Sequence, residues 1–306
     1  MLFVTTVRVP AKINLCLGVG PLREDGFHPL ATVYQAVDVY DEVKASAVVD
    51  DSLTITVHFD GDRAREAAAV PEDDDNLAIR AARLLRERTG TTEGAAIAIR
   101  KVIPVAGGMA GGSADAAAAL VACNELWGTG LTRVELEVIA AELGSDVPFL
   151  IHGGIAMGGG RGELISPVLA RGSYHWVFAI AAQGLSTKSV YAEFDRLTAE
   201  REVREPEVPG DLLAALRAGD AAALGEALSN DLTEAALSLR PELAATLDVG
   251  LECDALGAIL SGSGPTSMFL ARDDAHALDI AFALTSSRVC ADVAQATGPV
   301  QGARLI

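Results

Sequence analysis

The chain has 306 residues, 50% of them hydrophobic and 22% charged, which allows a full core in one large domain or in two of roughly 150 residues. A formal net charge of −18 opposes nonspecific attraction to nucleic acid or anionic lipid, and no run of ~18 uninterrupted apolar residues reads as a membrane span. Composition therefore leads to the expectation of a cytoplasmic protein that binds neither nucleic acid nor membrane, with no obligate protein partner evident.

The first eight residues lack a basic start, a long apolar centre and a small-residue exit, and read as a strand of the mature protein. Ile13, Leu15, Leu17 and Val19 alternate with Lys12, Asn14, Cys16 and Gly18, predicting a strand with one apolar face and with Lys12 and Asn14 together on the other. Residues 33–39 and 53–59 read as further strands, and the acidic stretch 60–75 as a solvated loop. Asn76 caps a predicted helix to about Thr89, with Leu77, Ala81, Leu84 and Leu85 on one stripe. A strand over 95–103 runs into Pro104 and a glycine-rich turn, and Ser113 opens an Ala-rich helix that ends before Gly128. Thr132 and Glu135 form a capping-box signature for the next helix, which stops at Gly144. A glycine-rich stretch, 153–162, reads as an approach to a domain seam, followed by a strand over 176–182. Helices are predicted to begin near Ser189, Asp211, Asp220 and Pro241. The chain then closes with a strand, a second glycine-rich turn at 261–265, a strand, a helix from Asp273 and a short final strand. This mixture predicts an α+β fold. Cys16, Cys123, Cys253 and Cys290 are scattered, with no Cys-x-x-Cys pair and no zinc-like histidine spacing, as expected of reduced thiols.

The segment Pro104-Val105-Ala106-Gly107-Gly108-Met109-Ala110-Gly111-Gly112-Ser113-Ala114 carries the strongest chemical signal. Glycines let the backbone approach a ligand closely, and the following helix directs its unpaired N–H groups and positive dipole end into the same space. That combination suits a diphosphate or triphosphate, and the Ser113 hydroxyl could meet phosphate or a Mg²⁺-bound oxygen. The Walker pattern requires a lysine at the helix start, and none is there. The dinucleotide fingerprint requires Gly-x-Gly-x-x-Gly, and the spacing differs. A tight structural turn is the bland alternative, but four glycines within six residues ahead of a helix favour phosphate. Two other segments have equally bland readings when taken singly. Lys12, in Pro10-Ala11-Lys12-Ile13-Asn14-Leu15, could snorkel to water. Asp146, in Leu143-Gly144-Ser145-Asp146-Val147-Pro148-Phe149, could satisfy backbone donors in a turn between a helix end and an apolar strand. Their combination with the glycine loop changes the weighing. A phosphate cradle, a cation and a carboxylate for a hydroxyl proton are what phosphoryl transfer to an alcohol requires. In a chain with so few lysines (Lys12, Lys44, Lys101 and Lys188), each cation near that loop matters.

These segments, with Ser261-Gly262-Ser263-Gly264-Pro265-Thr266, resemble the three ordered motifs of the GHMP kinase superfamily over nearly the whole chain. Within it, residues 10–15, the stretch Arg23-Glu24-Asp25-Gly26-Phe27-His28-Pro29-Leu30, and residues 143–149 are similar to the branch that phosphorylates the 2-hydroxyl of 4-diphosphocytidyl-2-C-methyl-D-erythritol in non-mevalonate isoprenoid synthesis. The resemblance implies a ribosomal-protein-S5-like, ATP-binding N-terminal domain (1–165) and a ferredoxin-like C-terminal domain (166–306) that helps form the substrate site. It implies ATP and Mg²⁺ as cofactors, Lys12 and Asp146 as the catalytic pair, and 104–114 as the ATP loop with Lys101 and Asn76 near the nucleotide. It further implies Asn14, Phe27, His28 and Tyr191 as substrate contacts, the last three about the cytosine; no side chain is assigned to the metal. Phe27 stands where the branch usually has tyrosine. Ala110 replaces a common loop glycine, which predicts a backbone that avoids positive φ there. Two other readings remain: a GHMP-type kinase for another alcohol such as homoserine or a mevalonate derivative, and a non-catalytic nucleotide-binding relative.

Overall fold

The computed structural model describes residues 3–59, 70–105 and 107–306. Strand β1 (Val4–Val19) pairs antiparallel with β2 (Leu30–Ala47), which continues through β4 (Ala95–Lys101) to the parallel edge strand β3 (Leu53–Phe59). Val, Ile and Thr recur in β1 and β3, as suits residues that pack on a pleated surface. The simple alternation expected of β1 breaks at Leu15. The register with β2 shifts between Asn14 and Cys16, so that Ile13, Leu15 and Cys16 enter the large core. Leu17 and Val19 instead join a second core with Val190, Phe194 and Leu232. One strand thus feeds both halves of the molecule, and the face carrying Lys12 and Asn14 is buried rather than wet: the two residues are 5% and 2% exposed.

Helix α1 (Leu77–Thr89) is capped by Asn76, whose Oδ1 accepts from Ala78 N at 2.9 Å, and ends at Gly90 in the left-handed region. Helix α2 (Gly111–Leu126) begins two residues before the expected Ser113, so Gly111 and Gly112 lie in its first turn. Its alanines are buried between the sheet and the neighbouring helices, where small side chains allow close approach. Helix α3 (Arg133–Leu143) has the expected capping box between Thr132 and Glu135. The apolar segment after Asp146 is not a strand but a short helix, α4 (Val147–His152), with Pro148 in its first turn, where a missing N–H does no harm. Strands β5 (Ile155–Gly159) and β6 (Leu164–Pro167) extend the first sheet from β2. The loop expected at 60–75 falls partly outside the described residues.

The second half forms a four-stranded antiparallel sheet from β7 (Tyr174–Ile180), β9 (Gly257–Leu260), β10 (Ser267–Ala271) and β11 (Asp292–Gly298). The spatial order β11-β7-β10-β9 places them fourth, first, third, second, the ferredoxin-like arrangement. Five helices lie between β7 and β9: α5 (Thr187–Thr198), α6 (Gly210–Ala218), α7 (Ala221–Ala227), α8 (Thr233–Leu239) and α9 (Glu242–Glu252), while α10 (Asp274–Ser287) joins β10 to β11. The two halves interlock. Strands β8 (Ser229–Asn230) and β12 (Arg304–Leu305) return to pair with β1, and Trp176 Nε1 donates to Gln35 Oε1 at 2.6 Å across the seam. All four cysteines are free, and burial pushes the Cys16 and Cys123 thiols up to about 12, which keeps them protonated and unreactive. No helix among the described residues is long and apolar enough to cross a membrane.

Candidate active site

The bulged strand β1, the start of α2, the start of α4 and the first turns of α5 converge on a cavity of about 830 Å³. Lys12, on β1, is aimed by a chain of side chains behind it. Its Nζ donates to Asn14 Oδ1 at 2.7 Å, Asn14 Nδ2 donates to Thr32 Oγ1 at 2.8 Å, and Thr32 donates to Cys16 O at 2.6 Å. Its backbone N–H holds Met109 O at 3.3 Å and so ties the glycine loop to the strand. Asp146 stands across from it at 3.5 Å between Nζ and Oδ2. The carboxylate sits at the start of α4 but makes no capping bond, so the turn-satisfying reading fails and the group faces the cavity.

Tyr34, on β2, completes this end. Its phenol donates to Asp146, its ring lies 5.5 Å from Lys12 Nζ and stacks at 4.9 Å on Phe149. Burial pushes the phenol well above its ordinary range, and the charge and hydrogen bond of Asp146 push it further, so it remains a donor. The sequence reading missed Tyr34, because nothing in an alternating strand distinguishes a packing tyrosine from one aimed at a carboxylate.

In the glycine loop, Ala110 takes φ 59°, ψ 37°, against the expectation that it would avoid positive φ. The left-handed region is narrow but open to alanine at roughly 1–2 kcal/mol, and the neighbouring contacts hold it there. Met109 is buried in the core, and Gly108, at φ 76°, lies against the Ser261 carbonyl so closely that a Cβ would collide with it. Gly108 therefore serves the seam with the second glycine-rich turn, not only a ligand. As N-cap, Ala110 offers no side-chain acceptor, which leaves the first N–H groups of α2 uncapped beside the exposed Gly112. Gly107, Gly108, Ala110, Gly111 and Gly112 line the cavity. Pro104 and Ala114 are buried, Val105 and Ser113 half-buried, and Ala106 lies outside the described residues.

The structure brings neither Lys101 nor Asn76 to the cavity. Asn76 uses both ends of its amide, Oδ1 in the cap and Nδ2 on Pro71 O at 2.7 Å. Lys101 Nζ is sealed beneath the loop between Asp41 Oδ2 at 2.5 Å and Asp115 Oδ2 at 2.9 Å.

At the far end stand Phe27, His28 and Tyr191. The His28 and Tyr191 rings are 5.2 Å apart, and the imidazole is fixed by Gly20 O at 2.8 Å on Nδ1 and by Asp195 Oδ1 at 3.4 Å on Nε2. Phe27 is half exposed under the Arg161 guanidinium, 4.9 Å from the ring centroid. Asp195 and Arg161 were also missed. Asp195 follows Tyr191 by one helical turn, a spacing that places both on one face.

One end of the cavity thus holds uncapped helix amides with an ammonium–carboxylate pair, and the other holds aromatic rings. Its relatives place the chain in a class of small-molecule kinases. The "GHMP kinases N terminal domain" family matches residues 76–154, and the "GHMP kinases C terminal" family matches 212–289. A 4-diphosphocytidyl-2-C-methyl-D-erythritol kinase of Salinispora tropica is 58% identical over 98% of this chain and 93% of its own, and one of Thermobifida fusca 54% identical over 98% of both. The crystal structure of a 4-(cytidine 5'-diphospho)-2C-methyl-D-erythritol kinase is 31% identical, with a TM-score of 0.72 over 97% of this chain and 98% of that one. Homoserine kinase from Cytophaga hutchinsonii superposes as well, with a TM-score of 0.77 over 99% and 97% of the two chains, but at 19% identity it shares the fold alone. The chain belongs to the 4-diphosphocytidyl-2-C-methyl-D-erythritol kinase family of the GHMP kinases.

Proposed function

We propose that this protein transfers a phosphoryl group from ATP to the 2-hydroxyl of 4-diphosphocytidyl-2-C-methyl-D-erythritol. The carrying observation is the placement of Lys12 and Asp146, 3.5 Å apart, in the same cavity as Phe27, His28 and Tyr191. The uncapped amides of Gly111, Gly112 and Ser113 suit a polyphosphate, which fits the nucleotide. Among the described residues no group of three or more His, Cys, Asp or Glu could hold a metal. That suits a Mg²⁺ carried mainly by substrate phosphates, with the Ser113 hydroxyl as a protein contact. Bound together, ATP supplies the phosphoryl group and Mg²⁺ neutralises charge on its phosphates.

The chain's own residues do the rest. Asp146 accepts the hydrogen bond of the alcohol and orients its oxygen toward the phosphorus. A carboxylate is a weak base for an alcohol, so the proton moves to Asp146 only as the new O–P bond forms and the bond to the departing diphosphate breaks. Lys12 and Tyr34 hold the carboxylate, and Lys12 also offsets charge on the transferring oxygens. Phe27, Tyr191 and the His28 edge receive the nucleobase. The test is incubation of the purified protein with ATP, Mg²⁺ and diphosphocytidyl-methylerythritol, read by phosphorus NMR. A new phosphomonoester resonance is expected. ADP release with homoserine or mevalonate but not with this alcohol would replace the substrate, and no turnover of any alcohol would leave a non-catalytic protein.

A further inference from the structure

We propose that Arg161 is the diphosphate-recognition residue of this cavity, resting on Phe27 so that the phosphate clamp and the nucleobase shelf form one unit. The inference rests on the proposed substrate class, a nucleoside diphosphate ester, and assigns its middle. Three observations carry it.

Position is the first. The next residue, Gly162, has φ 107°, and a Cβ there would collide with the Tyr34 hydroxyl and stand 3.6 Å from Ser145 Cβ. The backbone at 161–162 therefore abuts the reactive end, beside the groups that hold Asp146. The Arg161 side chain runs from there to the Phe27 ring at the aromatic end, 4.9 Å from its centroid. It spans the stretch that must be crossed by whatever links a base stacked at Phe27 to an alcohol at Asp146.

Charge is the second. The side-chain cations that line the cavity are Lys12, Arg161 and Lys188, against the carboxylates Asp146 and Asp195. Lys12 stands at the reactive end beside Asp146, and Lys188 is exposed on the first turn of α5. In a chain of net charge −18, a diphosphate could not enter without a placed cation between the two ends, and Arg161 is the one so placed.

The third is the way the guanidinium is held. The Arg161 backbone N–H donates to Glu163 Oε2 at 2.6 Å, and Nε lies 3.6 Å from Glu163 Oε1. Glu163 thus fixes the inner edge, and the ring of Phe27 supports one flat face. Among the described residues no acceptor meets the two terminal nitrogens. Their parallel N–H groups match two oxygens of a phosphate, a fit that a lysine cannot reproduce.

The test compares two probes, cytidine and cytidine diphosphate, by calorimetric titration of the full-length protein and of Arg161→Gln and Arg161→Lys. Wild type should bind the diphosphate more tightly than the nucleoside. Arg161→Gln should weaken the diphosphate about tenfold while cytidine changes less than about twofold, and Arg161→Lys should recover only part of the loss. Equal weakening of both probes would show that Arg161 merely props Phe27 and would overturn the proposal, as would no change in either. Equal wild-type affinity for the two probes would also overturn it. If wild type binds neither, the substrate reading itself has failed, a separate outcome.

Discussion

Two lysines stand close to the glycine loop, and their surroundings could hardly differ more. Lys101 Nζ touches two carboxylates, at 2.5 and 2.9 Å, with all three side chains sealed from water. Lys12 Nζ touches one, at 3.5 Å, and that carboxylate, Asp146, remains 28% exposed. The first cluster is finished. Asp41 Oδ1 also accepts the Val102 and Ile103 N–H groups, at 2.5 and 2.8 Å, and a Cβ on Gly111 would stand 3.1 Å from Lys101 Nζ. The cluster thus props the loop from below. The second is open and loosely paired, with capacity left for a substrate hydroxyl and for phosphoryl oxygens. A buried charge whose partners are all in place is structural, whereas a partly open pair with slack in it is available for chemistry.

The titration of the sealed site follows from its burial. Burial pulls the Lys101 ammonium down, but Asp115 and Asp41 outweigh that and its pKa ends above the ordinary value. Burial pushes Asp115 up to about 8, and Asp41 adds to this while Lys101 opposes it. With Asp115 protonated, the cluster holds one ammonium and one carboxylate and is neutral. Among the described residues Asp115 Oδ1 has no hydrogen-bond partner, a position that an ionised oxygen would tolerate poorly.

The comparison can be broken most decisively at the open site. Asp146→Asn should lower kcat by roughly 10²–10⁴ and leave nucleotide affinity near wild type, measured by steady-state kinetics and equilibrium binding. Near-normal turnover would remove Asp146 from the mechanism. The sealed site should respond in stability instead. Lys101→Met leaves the buried Asp41 carboxylate without its cation and should cost about 3–5 kcal/mol in urea unfolding, whereas Lys12→Met, whose carboxylate partner is 28% exposed, should cost less and lower kcat. Comparable losses at the two positions would erase the distinction. Tyr34→Phe sharpens the picture of the open site. Loss of one charge-assisted hydrogen bond to Asp146 should reduce kcat about tenfold with the melting temperature nearly kept, and an unchanged kcat would make the phenol a packing group.

The smallest effect is the pH dependence of the sealed site. An acid whose folded pKa lies above its unfolded value contributes stability below the unfolded value, here 3.8, and loses it as pH rises toward about 8. Asp115→Asn should therefore flatten the fall in melting temperature as pH rises from 3.8 to about 8. Parallel falls in the two proteins would show that Asp115 is already ionised at neutral pH.

Much of this protein is written locally in its sequence. Asn76 and Gly90 bound α1, Thr132 and Glu135 start α3, and the glycines mark the turn into α2, because each signal acts between residues a few positions apart. The motifs likewise singled out Lys12 and Asp146 as a pair. Tertiary structure alone decided which lysine meets the cavity and which is locked beneath it. It decided that Ala110 is held at positive φ by the contacts of its neighbours, that the segment after Asp146 is helical, and that Tyr34 and Arg161 join the site. The physical reason is common to all of these. Burial of a charge, collision at a Cβ and the aim of a side chain depend on groups brought together from distant parts of the chain, and no window of local sequence contains them.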